Sequence, residues 1–149
     1  MGFQTVAGST LACSVTAPAT YDSAGYGALT FTTIGEITDL GGNLGRDYNI
    51  VSHSPVATSQ VIEKKASYKL GSQDIVLAWD QSDAGQDLLR TAANDPDDVL
   101  SFKLTKQNGD IRYFTAQVSK FLENFGGADS VNQGMVTLLR QTDVVMSPA

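Results

Sequence analysis

A chain of 149 residues with 42% hydrophobic and 17% charged side chains is long enough for one domain with its own core, and its surface must be built largely from Ser, Thr, Asn, Gln and Gly. A formal net charge of −6 and a pI near 4.5 argue against phosphate binding through a basic patch. No apolar run approaches the ~20 residues of a membrane-spanning helix, the first basic residue is Arg46, too late for a signal peptide, and the lone Cys13 suits a reducing cytoplasm.

Taken in chain order, weak strand patterns over 8–15 and 29–38 come first. A long stretch at 38–60 follows, "TDLGGNLGRDYNIVSHSPVATSQ", with no hydrophobic period but with Leu40, Leu44, Tyr48, Ile50 and Val51 scattered through it. Unstructured loops of that length are uncommon in small domains and are usually functional or disordered, and disorder predicts fewer apolar side chains. Residues 60–70 alternate, with Ile62, Ala66, Tyr68 and Leu70 on one face and Glu63, Lys65, Ser67 and Lys69 on the other, interrupted by Lys64. That is the pattern of a half-buried antiparallel strand. "DIVLAW" at 74–79 is apolar on both faces and predicts a strand covered on both sides. "DQSDAGQDLLRTAANDPDD" predicts a helix over about 82–94, with Asp80 or Ser82 as N-cap. Its apolar stripe is Ala84, Leu88, Leu89, Ala92 and Ala93, opposite Gln86, Asp87 and Arg90; Asn94 and Pro96 end it. Residues 99–121 predict a hairpin turning at Asn108-Gly109, with Leu100, Phe102, Leu104, Phe114, Ala116 and Val118 inward. Tyr113, Thr115, Gln117 and Ser119 take the other face. A last strand covers about 134–145. The fold class expected is mainly β: an antiparallel β-sandwich or half-barrel with one flanking helix and a long hairpin loop at about 39–59. No repeat or linker divides residues 1–149.

No residue set carries an active site. Cys13 and His53 are the one thiol and the one imidazole, without a local nucleophile signature. "DPDD" (Asp95, Asp97, Asp98) lacks the glycine-punctuated spacing of a calcium loop and reads as a solvated turn after the helix. Asp80 and Asp83 read as capping residues rather than a catalytic pair. "GGNLG" has no phosphate-loop lysine and opens no helix. No enzyme activity, cofactor or metal is expected.

The segments "APATYDSAGYGALTFTTIGEITDLGGNLGRDYNIVSHSP" (17–55) and "DAGQDLLRTAANDPDDVLSFKLTKQNGDIRYFTAQVSKF" (83–121) resemble the major tail tube protein of long, non-contractile-tailed (siphovirus-type) bacteriophages, in the order and character of segments across most of the chain. The resemblance implies a β-sandwich or half-barrel, similar to the type VI secretion tube protein. It implies homohexameric rings stacked into a conduit for DNA ejection, in the tail of a virion assembled in the host cytoplasm. The partners implied are other copies of the chain, double-stranded DNA passing through without specific binding, and the tape-measure and tail-terminator proteins, with no membrane. Flexible arms are expected at about 1–7 and 143–149, with no C-terminal immunoglobulin-like domain. If six subunits gave four strands each, the closed barrel would have a bore wider than the roughly 20 Å of a B-form duplex.

On that resemblance the long loop is a ring-stacking element. Its expected contact residues are Leu40, Gly41, Gly42, Asn43, Leu44, Gly45, Arg46, Asp47, Tyr48, Ile50 and Val51, the glycines giving freedom and the apolar side chains anchors. A conduit for a polyanion needs an acidic or neutral wall, since each neutralised phosphate adds affinity; Glu63, with Glu36 and Asp39 behind it, is the expected lumen set. The alternative is a β-sandwich that binds carbohydrate or a receptor, or decorates a virion, for which exposed aromatics clustered in loops are the expected sign.

Overall fold

The computed structural model describes residues 3–147; residues 1, 2, 148 and 149, the ends of the two expected arms, lie outside the described residues. The elements in order are β1 (Thr10–Ser14), α1 (Ser23–Gly27), β2 (Thr32–Thr33), β3 (Ile37–Asp39), β4 (Asp47–His53), β5 (Ile62–Lys69) and β6 (Ser72–Ala78). After these come α2 (Ala84–Ala93), β7 (Leu100–Thr105), β8 (Ile111–Asn124), β9 (Gln133–Arg140) and β10 (Val145–Ser147). The expected mainly-β, antiparallel half-barrel is what forms.

Strands order as β2-β1-β7-β8-β9-β6-β3, with β10 also on β8. The 14-residue β8 organises the sheet. Its first half pairs β7 (Phe102↔Phe114) and β10 (Val145↔Tyr113), and its second half pairs β9 (Leu122↔Met135). The sheet curls until Val6–Ser9, just before β1, faces Ile37–Leu40 of the opposite edge across a groove. The concave side holds the core: Leu11, Cys13, Leu77, Leu100, Phe102, Phe114, Ala116 and Leu138 are all completely buried. Phe102 and Phe114 stack across β7 and β8 with centroids 5.4 Å apart. The β7–β8 turn is the one its Asn108-Gly109 predicts, with Gly109 at φ 95°, where a side chain would be strained.

Helix α2 packs Leu89 and Ala92 into this core. Its N-cap is Asp83 rather than Asp80 or Ser82. One Asp83 oxygen accepts from both Gln86 N (3.0 Å) and Gly35 N (3.1 Å), while Asp80 accepts from the Ser82 amide and hydroxyl in the preceding turn. Gln86, expected on the solvent face, is fully buried. Its amide donates to Gly35 O and Ala78 O and its carbonyl accepts from Asp80 N, so it clamps three segments and leaves no polar atom wanting.

A short helix that hydrophobic periodicity does not reveal covers part of the convex side. Asp22 caps α1 by accepting from Gly25 N at 2.8 Å, and Tyr26 is completely buried, stacked on Tyr113 at 5.1 Å. Tyr26 also shares a hydrogen bond with Thr142. Tyr113 and Thr115, outward on β8, are therefore buried as well. The expected strand at 29–38 splits into β2 and β3 around Glu36, whose φ of 64° breaks the extended run. The expected 134–145 strand splits into β9 and β10.

Two further expectations on burial fail. Only one side of β6 is covered: Gln73, Ile75 and Leu77 point inward, while Asp74 is exposed and Val76 half-exposed. And β5 is exposed along its entire length.

Candidate assembly surfaces

β4 and β5 form a two-stranded hairpin separate from the main sheet. It stands as an arm beyond β3 and β6, so about a third of the expected loop, Asp47–His53, is strand. Register explains why the alternating pattern of β5 misled. Tyr48 pairs with Tyr68, but Ile50 pairs with Lys65, which leaves Asn49 opposite both Ala66 and Ser67. The bulge shifts side-chain parity, so Tyr68 shares a face with Lys65 and Glu63, and Ile62 falls on the other face with Lys64. No continuous apolar face results, and neither side is buried.

Isolated two-stranded hairpins are marginal, and this one is held at its root. Tyr48 and Tyr68 lie 5.2 Å apart, Arg46 sits 4.4 Å over the Tyr68 ring and Lys65 4.8 Å over Tyr48. Arg46 also binds Asp143 through two hydrogen bonds, the Nε–Oδ1 one being 2.8 Å, and donates to Tyr48 Oη. Those bonds hold the Asp143 carboxyl below the ordinary carboxylate value. Deeper in, Arg140 is almost fully buried. It donates to Leu70 O at 2.9 Å, to Gln73 Oε1 at 3.2 Å and to Asn43 O, tying both strands of the root to β9. Burial lowers its pKa from the ordinary arginine value, yet a guanidinium stays charged. Gly71, at φ 80°, makes the bend between β5 and β6 beside it; a Cβ there would lie 3.2 Å from Arg140 Nη2.

The second unpartnered surface is the convex face of β6, β9 and β8. Cross-strand pairs make rows there: Val76–Met135–Leu122 and Asp74–Thr137–Lys120, the Thr137 hydroxyl donating to Asp74 at 2.8 Å. Leu122 (53%), Met135 and Leu139 (40% each) are solvent-exposed.

The expected stacking residues divide between arm and body. Asp47, Tyr48, Ile50 and Val51 lie on β4 and Arg46 at the root; Leu40 and Leu44 pack against the core. Gly41, Gly42, Asn43 and Gly45 make the connection, Gly42 bridging to Gln73. Of the expected lumen acids, Glu63 is on the arm. Glu36 sits at the turn before β3, its carbonyl accepting from Ala78 N. Asp39 pairs with Val76, at the edge of the convex rows. Arg140 and Gln86 were missed because a polar side chain that clamps backbone has no periodic signature.

Cys13 is buried in β1, its thiol pushed up to about 12 by burial and then by the Asp83 charge, whereas His53 ends β4 on the arm; the fold does not bring them together. Asp95 accepts from Asp97 N in a turn. Among the described residues no cluster of His, Cys, Asp and Glu is arranged to hold a metal ion, and no helix is long and apolar enough to cross a membrane.

No family model matches the chain, and no curated protein matches it. Solved structures do. A chain in the cryo-EM structure of the anti-feeding prophage baseplate, 6-fold symmetrised, superposes with a TM-score of 0.70 at 11% identity, covering 99% of this chain and 98% of that one. A chain of the PVC extracellular contractile injection system's sheath/tube terminator, in the extended state, gives 0.59 at 10% identity over 77% and 86%. One from its sheath-tube complex, also extended, gives 0.56 at 12% identity over 93% and 88%. At such identities the likeness is one of fold: a curled antiparallel sheet that also occurs in subunits of contractile injection assemblies.

Proposed function

We propose that this chain is a structural subunit of a phage-tail-like or injection tube, in which six copies close a ring and rings stack into a conduit. The observation that carries the reading is the fold match across 99% of the chain to a subunit of a six-fold assembly. The surfaces agree with it. Ring closure removes the open sheet edges at β2 and β3, which are otherwise templates for uncontrolled pairing. The arm, with little of its own chain to pack on, reaches the next ring. The convex rows face the bore.

On that reading the bore wall carries Asp39 and Asp74 against Lys120 among its charged groups, close to neutral, beside Val76, Leu122 and Met135. Such a wall lets double-stranded DNA slide, because it offers few cations to release counterions against. Tape-measure and tail-terminator proteins are the further partners. The particle's tail is the place of action, after assembly in the host cytoplasm.

Electron microscopy of the purified protein over a range of concentrations tests this. Six-fold rings or tubes support it; a chain that stays monomeric at high concentration and in the presence of preformed tube ends overturns it.

A further inference from the structure

Strand register divides the molecule into two ends of opposite charge. One is the arm end, where β7 turns into β8 at 106–110 and the arm leaves the sheet. The other is the turn end: Ala78 pairs with Gln133 and Asn124 pairs with Gln133. The Trp79–Asp83 turn, the 125–132 loop and the N-terminus of α2 therefore lie there together. The arm end carries Arg46, Lys64, Lys65, Lys69, Lys106 and Arg112 against Asp47, Glu63, Asp110 and Asp143. The turn end carries Glu36, Asp80, Asp83, Asp87, Glu123 and Asp129 against Arg90 alone. A chain of net charge −6 thus has one end of net positive charge.

The apolar groups are split in the same way. Ile50, Val51 and Val56 are exposed on the arm, and Phe125 (73%) and Val131 (64%) on the turn-end loop. Each end therefore pairs exposed apolar side chains with charge that the other end complements.

We propose that the arm's partner is the turn end of a second copy of this chain, joined head to tail along the strand direction, with Lys64 and Lys69, which share one face of the hairpin, toward Glu123 and Asp129. A head-to-tail contact uses two different patches, and when it is repeated along one direction with no closing rotation it propagates. The inference rests on the tube reading above and adds which end receives the arm and what attracts it. Opposite potentials set register and speed encounter, and the contact weakens as salt screens it.

The experiment uses two charge-reversed full-length chains. One carries Lys64→Glu and Lys69→Glu; the other carries Glu123→Lys and Asp129→Lys. Each alone is expected to form rings that stack into tubes at least tenfold shorter than wild type, while an equimolar mixture restores length, because each altered arm then meets an altered turn end. Wild-type tubes, with no substitution, should shorten several-fold between about 0.05 M and about 1 M NaCl. Full-length tubes from either variant alone, or wild-type tubes indifferent to salt, overturn the head-to-tail pairing and leave the tube reading standing. Short tubes from the mixture as well also overturn it. Absence of both rings and tubes in wild type is instead the failure of the tube reading.

Discussion

Arg140 shows how much a single side chain can decide without any pattern announcing it. Replacing it with Met would strip donors from Leu70 O, Asn43 O and Gln73 Oε1, and unsatisfied acceptors in a buried site are costly. Arg140→Met should destabilise the chain by about 2 kcal/mol or more, read as a lower denaturation midpoint. Cys13 provides an independent probe of folding. With its thiol pushed up to about 12, roughly one molecule in ten thousand holds a thiolate at pH 8, so alkylation should proceed at the rate of unfolding and speed up in denaturant. Asp143 behaves oppositely to a raised group. Its folded pKa is depressed by the Arg46 hydrogen bonds, so its contribution is present above about pH 4, the unfolded value, and fades as pH falls through the folded one. Amide exchange at the arm root, corrected for intrinsic rate, should accelerate on that descent, and Asp143→Asn should remove most of the difference.

At the level of elements, legibility followed burial. The β7–β8 hairpin could be read because one face is core, so alternation and a turn dipeptide point to the same answer. The stripe of α2 could be read for the same reason, although its cap could not: Asp80, Ser82 and Asp83 are all competent, and only tertiary contact with Gly35 selects one. β5 misled because alternation assumes unbroken register, and the bulge at Ala66 and Ser67 breaks it. α1 escaped because its one buried aromatic, Tyr26, belongs to a cluster assembled from Tyr21, Tyr113 and Thr142. Since β4 and β5 contribute nothing to the core cluster, replacing Asp47–Lys69 by a short Gly-Ser turn should leave the thermal midpoint within a few degrees of wild type. The same deletion should abolish stacking while rings persist. A loss of cooperative unfolding would show instead that the arm is part of the folding unit.

For the whole molecule, the contrast between its two sheet faces is decisive. Phe114→Ala should cost about 3–5 kcal/mol, as truncation of a filled core does. Leu122→Asp with Met135→Asp, on the convex face, should cost no more than about 1 kcal/mol in the free subunit. Sequence could not separate these faces, since "DIVLAW" reads as covered on both sides, whereas among the described residues only one side of β6 is covered. The arm differs from both faces in its vulnerability. Its Lys64-Lys65 peptide lies in a strand paired on one side only, with both faces in water, whereas Lys103 is in a strand paired on both sides. A trypsin-like protease, which needs locally opened backbone, should therefore nick the free subunit first within the arm and leave the curled body intact. Protection of that one bond would then report the fraction of arms in use.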